Sequence, residues 1–380
     1  MQSIRPSLEV EVRQAVKPSN NEARYRRALA AYEAAHARFE EEKAKPYWAR
    51  VVELAAGRRG RTVASLGDAD FMNDAPPVYD GPAKPNPTDF GLPAVPREPS
   101  TIAVVRDFIA AADRLGLRYD LLRENATDAQ RSAFETRFKR RYAEVALRAG
   151  LTREQILGVY AFETGGRGTH NMQAGIDPVS GRGRQISTAL GYAQLLAANS
   201  NTVFSTHGEL IAQRLEAEGK HEKAALARRL RREVLAIHGR PPEWAEAQRI
   251  ARTDLGRACH AANLDIDIGP HMQTVKLADT AQSYRDQARV NGMPEGPIPG
   301  DVLESMNLAG VFPGFQIAHP ALANRLTVNF FERDGYEANP VAGRGRTAAG
   351  LRQIMRDIMS GAATRSAGYL ELQRHFEALE

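Results

Sequence analysis

The segment ILGVYAFETGG, residues 156–166, places a glutamate where a protein could use it as an acid. Ile156, Val159 and Tyr160 precede Glu163 by seven, four and three residues, so a helix presents all four side chains on one face. Two glycines follow and end the helix. Burial and the negative end of a helix dipole both raise the pKa of a carboxyl group. The pattern predicts that Glu163 stays protonated near neutral pH and acts as a general acid; the alternative is a glutamate that only frames a turn.

A second segment, STALGYAQLLAANS at residues 187–200, supplies an amide. Ser187 is predicted to cap a helix over residues 187–198, in which Gly191 permits a close backbone approach. Gln194 then projects a side chain that both donates and accepts hydrogen bonds. If it is buried, this amide needs a partner from the backbone or from a ligand; a glutamine that faces solvent is the ordinary alternative.

Together, Glu163-Thr164 at a helix end, a glycine-rich stretch and the string GYAQL at residues 191–195 resemble the lytic transglycosylases and goose-type lysozymes. The resemblance implies a lysozyme-like helical catalytic domain that cleaves the MurNAc–GlcNAc bond of peptidoglycan. It also implies that Glu163 is the general acid and that Thr164, Gly191, Tyr192 and Gln194 bind the glycan.

The string SMNLAG, residues 305–310, is the nearest counterpart of the family's Ala-Tyr-Asn-Ala-Gly segment, whose tyrosine supports the catalytic glutamate. Asn307 matches and is a further candidate for substrate binding. Met306 stands where the family has tyrosine, so Tyr160 or Tyr192 would have to replace it. This departure keeps open a second interpretation, a non-catalytic scaffold that binds the cell wall.

The type of reaction depends on whether a second carboxylate activates water. Asp177, in the glycine-rich stretch, is the nearby candidate, although Asp-Pro-Val-Ser-Gly is also a common turn sequence. Without a second acid, the N-acetyl group of the substrate serves as nucleophile. By resemblance the product is then an anhydromuramyl sugar. We favour this non-hydrolytic cleavage, with a muramidase that hydrolyses the bond as the second choice.

The sequence offers no residues for a disulfide, a metal site or a phosphate-binding loop. Cys259 is the one cysteine of the chain, so we expect a small buried residue and no intrachain disulfide. The nine histidines show no ligand spacing, and His170 is predicted to be a loop residue rather than a base. Metal-binding and phosphate-binding motifs are missing. We therefore expect neither a metal nor a cofactor.

Helical periodicity runs through most of the chain and predicts a mainly α fold. A small hairpin is expected only in residues 165–186. Ser100 is predicted to cap a helix that includes Phe108. The other predicted helices cover residues 128–148, 152–163, 187–198, 210–237, 244–262, 271–288, 320–331, 347–359 and 367–379.

Proline sets the predicted domain bounds, because eight of the 21 prolines fall between Pro76 and Pro99. Proline removes backbone donors and interrupts helices, which predicts a linker or surface strap over residues 71–100. Residues 1–70 then form a helical accessory region that could recruit a protein partner. Residues 101–380 form the catalytic domain.

A net charge of +5 and two basic runs, RFKRR at 137–141 and RRLRR at 228–232, suggest a competing class, a helical protein that binds nucleic acid or a partner. Glutamates stand close to both runs, which favours ordinary salt-bridged helix surfaces, so we expect no nucleic acid.

The chain has no apolar run long enough to span a membrane. Its first residues, MQSIRPSLEVEVRQ, show no signal peptide. Peptidoglycan lies outside the cytoplasm, so the expected function alone implies a periplasmic or secreted location.

Overall fold

The computed structural model describes residues 20–95, 102–123, 125–177 and 180–380. These residues are mainly helical, which confirms the predicted fold class. They divide into two compact units, one of residues 20–50 and 76–95 and one of residues 51–75 and 102–380. Residues 51–75 belong to the larger unit, whereas the sequence assigns residues 51–70 to the accessory region and residues 71–75 to the strap.

The smaller unit is a long helix with the proline-rich segment packed on it. Helix α1 (Asn20–Phe39) continues through a π-helical turn into α2 (Lys45–Arg58), in which the boundary between the units falls. The ring of Tyr79 lies 5.4 Å from that of Phe39 and 5.9 Å from that of Tyr32. Aromatic contacts of this kind fix an extended segment that has few backbone hydrogen bonds of its own.

The larger unit is built from α-helices joined by short connections and 3-10 turns. In chain order they are α3 (Val105–Arg114), α4 (Asp128–Arg148), α5 (Arg153–Thr164), α6 (Ala197–Ala217), α7 (His221–His238), α8 (Trp244–Ile250), α9 (Asp254–Ala261), α10 (Ile268–Val290), α11 (Gly300–Ala309), α12 (Val311–Ala318), α13 (Arg333–Ala338), α14 (Pro340–Gly345), α15 (Ala348–Ser360) and α16 (Ala367–Glu377).

Helices with strong caps and clear periodicity were predicted well, and α4, α5, α10, α15 and α16 lie close to their predicted bounds. Two long predictions each split into two helices. The chain leaves the helical conformation between α6 and α7, where Gly219 has a positive φ. It does so again between α8 and α9, where Thr253 caps the second helix by accepting from the Gly256 amide.

Two predicted helices are wrong. Residues 320–331 form two 3-10 turns instead, and the Thr327 hydroxyl donates to the Ala342 carbonyl rather than within its own segment. Residues 187–196 form a loop, and α6 starts only at Ala197. The reverse error also occurs, since the prediction missed α11 and α12.

The expected hairpin in residues 165–186 is reduced to isolated antiparallel bridges within the described part of that stretch. Ile176 pairs with Gly183, and Gln173 pairs with Leu190 just beyond the stretch. Asp177 opens the intervening turn, because its Oδ1 accepts from the amide and the hydroxyl of Ser180.

Helix α10 is the centre of the larger unit. Met272 packs in a cluster with α3, α6, α7 and α9, whereas Leu277 packs in a second cluster with α4, α5, α11 and α16. Ala288, near its end, belongs to a third cluster with α12 and α15. A helix buried on several sides is held by all the elements around it, so its polar side chains have fixed positions.

Two predictions concern residues outside the described ranges, namely the Ser100 helix cap and the missing signal peptide at residues 1–14. Cys259 is fully buried, as predicted. None of the helices in the described ranges is both long and apolar enough to cross a membrane.

Candidate active site

Helix α5 positions Glu163 through well-defined ends. At its start the Thr152 hydroxyl accepts from the Gln155 amide, and the Gln155 side chain accepts from the Thr152 amide in return. This reciprocal pair is the capping box that the sequence predicts. At its other end the chain turns out of the helix at Gly165, which has a φ of 60°. Glu163 therefore lies in the last turn, as predicted, and is half-buried.

A close approach of α5 and α11 places a second carboxyl group beside Glu163. A methyl group added at Gly158 of α5 would lie 3.6 Å from the Cα atom of Gly300 of α11. Glu163 lies about one turn beyond Gly158, and Glu304 lies about one turn beyond Gly300. The two helices run in the same direction from this contact, so their carboxyl groups meet, and each affects the other through a hydrogen bond.

Asn307 and Lys276 complete the polar network around this carboxyl pair. The Asn307 amide nitrogen Nδ2 donates to Glu163 Oε1 at 3.0 Å and lies 3.4 Å from Glu304 Oε1. The amide oxygen Oδ1 of Asn307 accepts from Lys276 Nζ at 2.6 Å. Lys276 comes from α10, so three helices contribute to one network. The predicted site residues Glu163 and Asn307 are thus brought together.

The carboxyl pair holds protons more strongly than free glutamates do. Burial raises the pKa of Glu163 to about 7, and a hydrogen bond with Glu304, the charge of Lys276 and the Asn307 amide oppose this only in part. Burial also raises the pKa of Glu304, which has no exposed surface, and the charge of Glu163 raises it further. The predicted rise for Glu163 is confirmed, with burial as its largest cause.

Sequence reasoning missed Glu304 and Lys276. Asp301, Glu304 and Asn307 recur at three-residue intervals beside Val302 and Leu303, which is a helical signal that could have identified α11. Nothing local pairs Glu304 with Glu163, because the contact depends on packing between helices that are far apart in the chain.

Tyr142 of α4 is a buried tyrosine within electrostatic reach of both carboxyl groups. Burial raises the pKa of its hydroxyl, and the charges of Glu304 and Glu163 raise it further. The two tyrosines proposed from the sequence are engaged elsewhere, since the Tyr160 hydroxyl donates to the Gly168 carbonyl at 2.8 Å and Tyr192 donates to Glu135. Met306 packs in the apolar cluster with α12 and α15.

The GYAQL segment forms a tight turn rather than the start of a helix. Leu190 pairs with Leu195 across it, Gly191 has a φ of 81° and Gln194 a φ of 43°. The Gln194 amide donates to the Gly191 carbonyl at 2.7 Å. Gln273 of α10 accepts from the Ala193 amide at 3.0 Å, one helical turn before Lys276. Helix α10 thus supports both the turn and the carboxyl network.

The candidate glycan contacts differ in their accessibility. Thr164, Gly191 and Tyr192 are buried, whereas Gln194 and Asn307 are half-buried. Tyr192 has no exposed surface, so the predicted direct contact between Tyr192 and a glycan is corrected to a role inside the wall of the site. The Thr164 hydroxyl donates to the Tyr160 carbonyl at 2.5 Å. Gln194, in the turn, and Asn307, beside the acid, are the two partly exposed residues of this set.

Glu135 of α4 is another largely buried carboxylate, and it accepts from the Tyr192 hydroxyl. His170 Nδ1 lies 2.7 Å from Glu135 Oε2, and Lys139 Nζ lies 3.5 Å from Glu135 Oε1. Lys139 also binds Glu371 at 2.9 Å. His170 lies in a loop, as predicted, where it is buried and pairs with Glu135.

The basic runs that suggested a nucleic-acid-binding protein are largely paired with glutamates. In the first run Lys139, Arg140 and Arg141 bind Glu371, Glu144 and Glu218, and in the second run Arg228 and Arg229 bind Glu209, Glu216 and Glu233. Among the described residues, no group of three or more His, Cys, Asp or Glu side chains is placed to hold a metal ion.

Comparison with known proteins returned no match, whether with protein families, with curated proteins or with solved structures.

Proposed function

We propose that this chain cleaves the MurNAc–GlcNAc bond of peptidoglycan, with Glu163 as the general acid in a lysozyme-like domain. The observation that carries the proposal is the half-buried Glu163 carboxyl, whose pKa of about 7 keeps it protonated up to neutral pH. Gln194 and Asn307 are the proposed glycan contacts. Export to the periplasm or the exterior follows from this function alone.

The geometry of the carboxyl pair favours the non-hydrolytic reaction. The Asn307 amide nitrogen lies 3.0 Å from Glu163 Oε1 and 3.4 Å from Glu304 Oε1, so the two carboxyl groups flank one amide rather than the opposite faces of a sugar, as an acid and a base would in an inverting glycosidase. Glu304 is also fully buried, so it has no access to water or to the sugar. The N-acetyl carbonyl of the substrate is then the remaining nucleophile for the anomeric carbon.

In the proposed first step, Glu163 gives its proton to the glycosidic oxygen as the carbon–oxygen bond breaks, and the N-acetyl carbonyl oxygen of the same sugar bonds to the anomeric carbon. The carboxylate left behind is stabilised by the Asn307 amide and the nearby charge of Lys276. In the second step, the 6-hydroxyl oxygen attacks the anomeric carbon and displaces the N-acetyl oxygen, while the Glu163 carboxylate accepts the hydroxyl proton. This restores both the N-acetyl group and the acid, and gives an anhydromuramyl product.

Mass spectrometry of purified peptidoglycan after digestion tests the proposal. The wild-type chain should release anhydromuramyl fragments, and Glu163→Gln should reduce their release by about 10²–10⁴-fold, the usual contribution of a general acid. Glu154→Gln, an exposed position on the same helix, is the matched control and should retain activity. Reducing-end products would replace the lyase with a hydrolase. If neither the wild type nor the control releases fragments between pH 4 and 8, the enzyme proposal is wrong.

A further inference from the structure

A concavity of about 530 Å³ lies in the larger unit, next to the GYAQL turn. Ser187 and Thr188 line it from the chain that enters the turn, and Leu196 and Ala198 line it from the chain that leaves. The remaining lining residues are Ile102, Ala103, Trp244, Gln248, Ala251, Arg252 and Arg257. None of the residues of the Glu163 network lines this concavity, so it is a separate feature.

Two arginines in this concavity lack a counter-ion of their own. Across the described residues, the side chains of Arg252 and Arg257 make no salt bridge or hydrogen bond, and the Nε atom of Arg257 is buried without a partner. The charge of Arg257 lowers the pKa of the nearby Asp254. The Asp254 carboxylate, however, forms a bidentate salt bridge with Arg114, with distances of 2.7 and 2.9 Å. Guanidinium groups in such surroundings favour a planar anion that accepts two hydrogen bonds, above all a carboxylate.

The rest of the lining favours an organic ligand with apolar groups. Trp244 leaves 49% of its surface exposed, although large aromatic side chains are usually covered. Leu196 and three alanines add apolar surface. Gln248 adds an amide, and the hydroxyls of Ser187 and Thr188, which accept from the Ala189 and Ala197 amides, each keep an O–H group to donate. A phosphate ion would leave Trp244 bare, and a neutral sugar would leave the arginines unpaired.

We propose that this concavity binds a short peptide by its C-terminal carboxylate. Arg257 and Arg252 hold the carboxylate, Trp244 covers small aliphatic side chains, and Gln248 bonds to the peptide backbone. The identification of that peptide with the stem of the cell-wall polymer rests on the proposed function. The concavity would then hold a stem peptide while the glycan lies at the neighbouring turn.

Binding without turnover tests this directly. The full chain carrying Glu163→Gln would be titrated with acetyl-lysyl-D-alanyl-D-alanine, as the free acid and as the C-terminal amide, by NMR or calorimetry. The free acid should bind. The amide should bind at least about tenfold more weakly, because it lacks the charged carboxylate that the arginines would hold. Equal binding of the two peptides, or no binding of either, would overturn the proposal.

Three variants assign the site. Arg257→Ala and Arg252→Ala should each weaken binding of the free acid about tenfold and reduce the preference over the amide, and Trp244→Ala should weaken both peptides alike. Arg252 and Trp244 are exposed, so these two variants keep the test valid if Arg257→Ala fails to fold. Arg232→Ala, an exposed arginine on α7, is the control and should bind normally.

The peptide readout and the digestion readout are independent. Carboxylate-dependent binding in a chain that never cleaves peptidoglycan would retain the peptide site and reject the glycan chemistry. Cleavage of peptidoglycan together with equal binding of acid and amide would retain the glycan chemistry and reject the peptide site.

Discussion

Glu163 and Glu135 are both largely buried glutamates in one helical unit, but their surroundings move their carboxyl pKa values in opposite directions. Burial raises both values. At Glu163 the opposing contacts are incomplete, and the pKa rises to about 7. At Glu135 a hydrogen bond and charge from His170, the charge of Lys139 and the Tyr192 hydroxyl together outweigh burial, and the pKa falls to about 2.

The difference lies in the number of donors that each carboxylate receives. The two oxygens of Glu135 accept from the His170 amide at 3.1 and 3.2 Å, and from His170 Nδ1 and Tyr192 as well. Glu163 accepts from one Asn307 amide, which it shares with Glu304, and its remaining hydrogen bond is with Glu304, another carboxyl group. A buried carboxylate with several hydrogen-bond donors stays ionised and stabilises the fold. A buried carboxyl group with few donors keeps its proton near neutral pH and can give it to a substrate.

The largest expected effect is on stability at Glu135. A carboxylate whose pKa is lowered from 4.5 to about 2 contributes about 3 kcal/mol to stability at neutral pH. Glu135→Gln should therefore lower the free energy of unfolding at pH 7 by about that amount, measured by urea denaturation. Glu163→Gln is the matched comparison and should not destabilise the fold at pH 7 or above. Equal losses in both variants would remove the distinction between the two sites.

The dependence of stability on pH should have opposite signs at the two sites. Because the pKa of Glu163 is raised on folding, the native state binds the extra proton, and its contribution falls as pH rises from about 4.5 through 7. Because the pKa of Glu135 is lowered, its contribution is lost as pH falls from about 4.5 to about 2. The free energy of unfolding would be measured from pH 2 to 8. Glu163→Gln should remove the fall in stability above about pH 4.5, and Glu135→Gln should remove the fall below about pH 4.5. If both variants lost the pH dependence in the same range, the assignment of the two ranges to Glu163 and Glu135 would be wrong.

Lys276 and Lys139 give a smaller and more specific contrast. The charge of Lys276 lowers the pKa of Glu163, so Lys276→Met should raise that pKa and move the alkaline limb of the pH–rate profile upward by about one pH unit. Lys139→Met should cost stability, because it leaves Glu135 and Glu371 without their shared cation, but should leave the limb unmoved. If Lys139→Met moved the alkaline limb of the pH–rate profile and Lys276→Met did not, a group other than Glu163 would control that limb.

The smallest effect is expected at the distant end of α5. Thr152→Ala removes the acceptor for the Gln155 amide and should cost about 1 kcal/mol of stability. Urea denaturation would measure this loss, and the pH–rate profile should stay unchanged, because packing against α11 rather than the cap fixes Glu163. A shifted profile would show that the cap also controls the position of the acid.

Local sequence signals were enough for much of the fold and for one half of the candidate site. The helices α4 and α5, the capping box at Thr152, the helix end after Glu163 and the apolar stripe before it all depend on residues a few positions apart. Such contacts are fixed by helical geometry, so their spacing in the chain is sufficient to predict them.

The tertiary structure decided the rest. The turn at Gly191 interrupted a helical pattern, because Gln273 and the Leu190–Leu195 pairing hold residues 190–195 in a conformation that a helix does not allow. Asn307 is 144 residues from Glu163, and Glu304 joins them only because α5 and α11 pack closely. A carboxyl pKa depends on burial and on charges within a few ångströms, and those neighbours are set by the packing of helices whose separation in sequence carries no information about their distance in space.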